Sequence, residues 1–166
     1  MKNIFLFLLS LVIVSCSKTD DSMGLLFNQE SYNTNRELWI DSGISDYTFI
    51  QKQSANYNGG QPSLISIVKN SELDTIYLQS TEITDSVKYL VHYETIDDLF
   101  DYISITVKSC NEQINSSDSP MDGAKIEVEY HEKYYYPSKI ICSGYYTDGY
   151  VGGLSTQIFI TDFEEN

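Results

Sequence analysis

The stretch from Thr95 to Ile114 constrains the fold most. Ile96, Leu99, Ile103, Val107, Cys110 and Ile114 recur at spacings of three and four, which gathers them into one apolar stripe along a helix. Thr95 is a good N-cap, and Asp98 completes a capping box with a shorter acid than the usual Glu. A helix with one apolar side must bury that side against another layer. The segment "KIEVEY" (125–130) supplies such a layer. It places Ile126, Val128 and Tyr130 on one face and Lys125, Glu127 and Glu129 on the other, the pattern of a half-buried antiparallel strand. With 14 Tyr and 7 Phe the chain is too aromatic to be disordered and well suited to a pleated surface.

Other segments repeat this one-sided pattern. Glu30 to Asp41, with Leu38, Trp39 and Ile40, reads as a first helix ended by Gly43, a natural left-handed C-cap. "DYTFIQKQ" (46–53) is a strand, and "NYNGGQPS" (56–63) is a loop. "LISIV" (64–68) and "DTIYLQ" (74–79) form a hairpin around Lys69-Asn70-Ser71-Glu72. "INSSDSPMDG" (114–123) reads as a loop, and strands follow at 125–130, 138–146 and 157–163. The order α-βββ-α-βββ predicts an α+β fold of two layers, an antiparallel sheet with about two helices on one face. A chain of 166 residues suits one such domain, expected over 28–166.

The N-terminus carries an address. Ile4 to Val14 has Ser10 as its only polar member and follows the single cation Lys2. Eleven residues cover about half of the ~30 Å needed to cross a bilayer, so the run reads as a signal-peptide core. It ends in Ile13-Val14-Ser15-Cys16, which resembles a bacterial lipobox. That resemblance implies cleavage after residue 15 and a diacylglycerol thioether on Cys16, with the new amine acylated. Two or three acyl chains hold a protein to a membrane stably where one holds marginally. Residues 16–27 are then a lipidated, flexible tether. Ser17 in place of Asp favours outer-membrane sorting, and Lys18-Thr19-Asp20-Asp21 is similar to the export signals of Bacteroidetes surface lipoproteins. The expected location is the outer membrane, facing the cell surface, with the periplasmic face as the alternative.

Three stretches taken together carry a family resemblance. "ELWIDSGISDYTF" (37–49), "YETIDDLFDYI" (93–103) and "VEYHEKYYYPSKI" (128–140) resemble the family called domain of unknown function 6174. The likeness spans roughly residues 30–164. Members often carry a cysteine pair after the first strand, where this chain reads "QKQSANYN", so no role of that pair transfers. The family has no assigned activity, so the resemblance implies fold and context only. Cys110 and Cys142 remain. Cys110 lies on the helix stripe, and the family pattern turns Cys142 inward beside Ile140. A disulfide closing a 33-residue loop and two separate buried thiols are both compatible with this placement.

Composition removes several functions. Lys and Arg total 10 against 24 Asp and Glu, a net charge of −14 that opposes nucleic-acid binding. His92 and His131 lie in different segments, too few to build a His/Cys metal site, and no nucleophile elbow or phosphate-binding glycine loop occurs. Asp97, Asp98 and Asp101 suit the positive end of a helix better than calcium, since EF-hand spacing is missing. No catalytic residue, metal ligand or cofactor is therefore expected. Exposed tyrosines on turns would make a protein- or glycan-binding platform, with Tyr57, Tyr134, Tyr135, Tyr145 and Tyr150 as candidates together with the 56–63 loop. The expected function is a lipid-anchored, non-enzymatic binding module. The alternatives are a cell-envelope hydrolase with an acidic pair and an inhibitor of a basic target.

Overall fold

The computed structural model describes residues 24–55, 59–60, 63–78, 81–82, 94–147 and 153–166. Cys16, Tyr57, His92 and Tyr150 lie outside them, as do the signal peptide, most of the tether and much of the 56–63 loop. In chain order the elements are β1 (Gly24–Phe27), α1 (Gln29–Ser42), β2 (Tyr47–Ala55), β3 (Gly59–Gly60), β4 (Leu64–Lys69), β5 (Glu72–Leu78) and β6 (Thr81–Glu82). There follow α2 (Ile96–Ile114), β7 (Met121–Tyr130), β8 (Pro137–Tyr146) and β9 (Ser155–Glu165). The strands form one sheet in the order β1-β7-β8-β9-β2-β4-β5-β6, with β3 paired to β2 off that path.

The fold is α+β, but two expectations fail. The sheet is mixed, because β1 runs parallel to β7, pairing Gly24 with Gly123 and Phe27 with Ile126. The order α-βββ-α-βββ also gives way, since a strand precedes α1 and the short β3 and β6 extend the first half. The sequence places Gly24–Phe27 at the end of the tether. It sits in the sheet because Leu25 and Phe27 pack against the core, burial that a free linker would forgo.

α2 forms as its stripe requires. Ile96, Leu99, Ile103 and Cys110 are buried, with Val107 and Ile114 partly so. Phe100 and Thr106 widen the buried face. The Thr95 hydroxyl accepts from Asp98 N–H at 3.1 Å, and Asp98 Oδ2 takes Thr95 N–H at 2.9 Å, completing the capping box. A further orphan donor, Ile96 N–H, finds the hydroxyl of the buried Tyr47 at 3.0 Å. α1 ends at Gly43, whose φ of 65° is the left-handed cap that glycine adopts without strain.

Strand alternation then supplies the floor. Tyr47, Phe49, Val68, Ala124, Ile126, Ile140, Cys142, Ile158 and Ile160 join the buried residues of both helices in one cluster. The β4–β5 turn is tighter than the four residues expected. Only Asn70 and Ser71 lie outside the strands, with φ of 51° and 63°, the signature of a two-residue turn that matches strand twist. β7 starts at Met121, inside the segment read as a loop, because Met121 and Ala124 reach the core.

Candidate functional site

The turn between β7 and β8 is the most elaborate surface feature. Tyr135 N–H donates to the His131 carbonyl at 2.8 Å, and His131 N–H to the Tyr136 carbonyl at 2.9 Å. The His131 ring is locked into the same turn, its Nδ1 accepting from the backbone N–H groups of Lys133 and Tyr134 at 3.2 and 3.3 Å. His131 therefore serves as a side-chain cap for the loop rather than as a free base.

Aromatic rings hold the turn from below. Tyr136 is buried and stacks on Phe163 at 4.6 Å and on His131 at 5.0 Å. Tyr134 meets Phe163 at 5.0 Å and His131 at 5.3 Å. Phe163 reaches this group because the β2–β9 ladder slips register between Thr48 and Ile50, and Asp162 takes a φ of 50°. Its other side meets Tyr47 at 5.4 Å and Trp39 at 6.1 Å, linking the turn to α1. Lys133 lies 4.3 Å from the centre of the Tyr134 ring and donates to its hydroxyl at 2.7 Å.

Tyr135 is the exception in this frame. It is half-buried, has a φ of 63°, and its ring makes no stacking contact or hydrogen bond among the described residues. A bulky residue in the left-handed region stores strain of about 1–3 kcal/mol. The turn's hydrogen bonds and stacked rings supply the support that such strain requires. Tyr145, half-buried on β8 opposite Gly123, stands apart from the turn. Tyr146 is committed to structure, its hydroxyl accepting from Leu154 N–H at 2.6 Å. The structure thus brings Tyr134 and Tyr135 together, while Tyr57 and Tyr150 lie outside the described residues.

Cys110 and Cys142 are both buried free thiols, so the disulfide alternative is not the one realised. Burial pushes the Cys142 thiol up to about 11, against the opposing pull of a 3.8 Å hydrogen bond from the Tyr102 hydroxyl. Burial also raises Cys110. Neither environment generates the thiolate that nucleophilic chemistry needs.

The acidic helix start is likewise structural. Asp98 caps α2, and Asp97 Oδ1 accepts from the Trp39 indole N–H at 3.2 Å. Desolvation raises Asp97, with the Trp39 bond opposing. Asp101 pairs with Arg36 at 3.0 Å. Among the described residues, no three His, Cys, Asp or Glu side chains converge to hold a metal ion.

Two larger clefts open among the described residues. One, of about 370 Å³, lies where β1 stops beside β7, lined by Leu26, Phe27, Ser31, Glu127, Glu129 and Tyr130 among others. The second, of about 460 Å³, is mostly apolar and lies between α2 and the β8–β9 region, bounded by Ile105, Cys110, Met121 and Leu154. No sequence signal pointed to either, because each is made by elements distant in the chain. The family model described as "Family of unknown function (DUF6174)" matches residues 31–145. No curated protein and no solved structure matches the chain.

Proposed function

Because the chain belongs to DUF6174, a family without an assigned activity, its function has to be read from its own surface, and we propose a lipid-anchored, non-enzymatic binding module of the outer membrane. The anchor reading rests on the Ile13-Val14-Ser15-Cys16 junction, which would place the domain at the cell surface on a short leader. The binding reading rests on Tyr135. A strained, partly exposed aromatic whose hydroxyl has no partner among the described residues, mounted on a turn of stacked rings, is built as a contact residue for protein or glycan. Glu127 and Glu129 lie on one strand face, yet each spends an oxygen on a lysine, Lys125 at 2.8 Å and Lys139 at 2.5 Å, which weighs against a working acid/base pair.

Two measurements test this function. Replacing Cys16 with Ser should move the protein from the membrane to the soluble fraction and abolish palmitate labelling; unchanged fractionation and labelling would remove the anchor. Tyr135→Ala should lower retention of the purified full chain on cell-envelope preparations by about thirtyfold, since anchor aromatics carry about 2 kcal/mol in interfaces. Its melting temperature should change little, because the Tyr135 ring makes no stacking contact or hydrogen bond among the described residues and alanine keeps the same backbone strain. Equal retention with turnover of peptidoglycan would replace the binding module with the hydrolase.

A further inference from the structure

The outer edge of the sheet has a feature that the tyrosine turn does not use. β7 is ten residues long, yet β1 covers only Gly123–Ile126. β1 stops at Phe27 because Asn28 turns the chain into α1, its side chain accepting from Ser31 N–H. Glu127–Tyr130 therefore have a strand partner on the β8 side alone among the described residues. The cleft of about 370 Å³ lies along this stretch and is lined from both faces of β7.

The peptide groups there are arranged for pairing. The Glu129 carbonyl accepts from the Ser138 hydroxyl on β8 at 3.1 Å, so it points away from the cleft. Peptide directions alternate along a strand, which turns the Val128 N–H and C=O toward the side that β1 has vacated. Four residues of open edge span about 13 Å, enough to register a short added strand.

Charge selects the occupant. At −14, two copies of the chain repel each other, which disfavours edge-to-edge self-pairing. Glu127 and Glu129 stand two residues apart on the same face, the spacing at which an added strand presents its own alternate side chains. Their ion pairs with Lys125 and Lys139 are solvent-exposed, so exchanging those lysines for a ligand's costs little. We propose that the open β7 edge at Glu127–Tyr130 takes up an extended basic peptide segment as an added strand, with its Lys or Arg side chains alternating toward Glu127 and Glu129.

The test uses the full chain in nonionic detergent micelles and a fluorescent acetyl-Lys-Val-Lys-Val-Lys-Val-amide probe read by anisotropy. Two more probes are N-methylated, one on every lysine and one on every valine. Strand addition uses the N–H groups of alternate residues, so one methylated probe should lose about tenfold or more in affinity while the other binds like the parent. A Glu-Val probe of the same length should not bind. The double variant Glu127→Lys/Glu129→Lys should lose the Lys-Val probe and gain the Glu-Val probe, a reversal that an unfolded protein cannot produce. Tyr135→Ala should leave all affinities unchanged, which separates this edge from the turn. Equal binding of both methylated probes, equal binding of the Glu-Val probe, or no binding of the parent at millimolar concentration would each overturn the proposal.

Discussion

Tyr130 shows how one atom can work against the fold that surrounds it. Its ring stacks on Phe100 at 6.3 Å, but its buried hydroxyl has no hydrogen-bond partner among the described residues. Burial drives that phenol well above its ordinary range. A buried hydroxyl without a partner costs about 1–3 kcal/mol. Tyr130→Phe should therefore raise stability by about 1 kcal/mol, seen as a higher urea midpoint at unchanged m-value. A lower midpoint would mean that the hydroxyl does hold a partner. Ser66 on β4, whose buried hydroxyl also has no partner among the described residues, shows that this is not confined to the edge of the sheet.

At the scale of elements, α2 depends on its first turn as much as on its stripe. Thr95 and Asp98 satisfy each other's backbone donors, and Tyr47 takes a third. Thr95→Ala should cost about 1 kcal/mol, and Thr95→Ser should restore most of it. Hydrogen exchange should locate the loss in the first turn of α2; an effect spread evenly over the molecule would contradict the assignment to a cap. This helix was legible in the sequence because its stripe, cap and box lie within twenty consecutive residues. β1 was not. Four residues, "GLLF", carry no strand periodicity of their own, and their partner lies about a hundred positions away. Parallel pairing leaves no hairpin signal to betray it.

Across the whole molecule, buried ionisable groups set the alkaline limit. Burial pushes Tyr102 up to about 12 and Cys142 up to about 11, both above their unfolded values near 10 and 9. A group whose folded pKa is raised stabilises fully below its unfolded pKa and loses that contribution as pH rises through the folded one. Stability should therefore fall between about pH 9 and 12, and Cys142→Ala should flatten the first part of the decline. Urea midpoints measured at intervals of pH would show this; a flat profile in the wild type would remove these groups from the account. Ellman's reagent at pH 8 should likewise leave Cys110 and Cys142 unreacted until denaturant is added.

The candidate site was only partly readable in advance. The sequence gathered Tyr134, Tyr135 and Tyr145 as one surface group, but alternation fails inside a turn, where no period assigns a side chain to a face. Folding separated them: Tyr134 leans on Phe163, Tyr135 stands strained at the turn, and Tyr145 pairs across β7. The sequence by itself determined what local chemistry can determine: the apolar stripe and capping box of α2, the left-handed end of α1 at Gly43, and the alternation of Ile126, Val128 and Tyr130. Tertiary structure alone decided which strands are neighbours, that β1 joins the sheet in parallel, that both thiols stay apart, and that among the described residues the β7 edge lies open from Glu127. Each of these depends on contacts between residues far apart in the chain, and the free energy of such contacts is settled by what the folded core buries rather than by any local pattern.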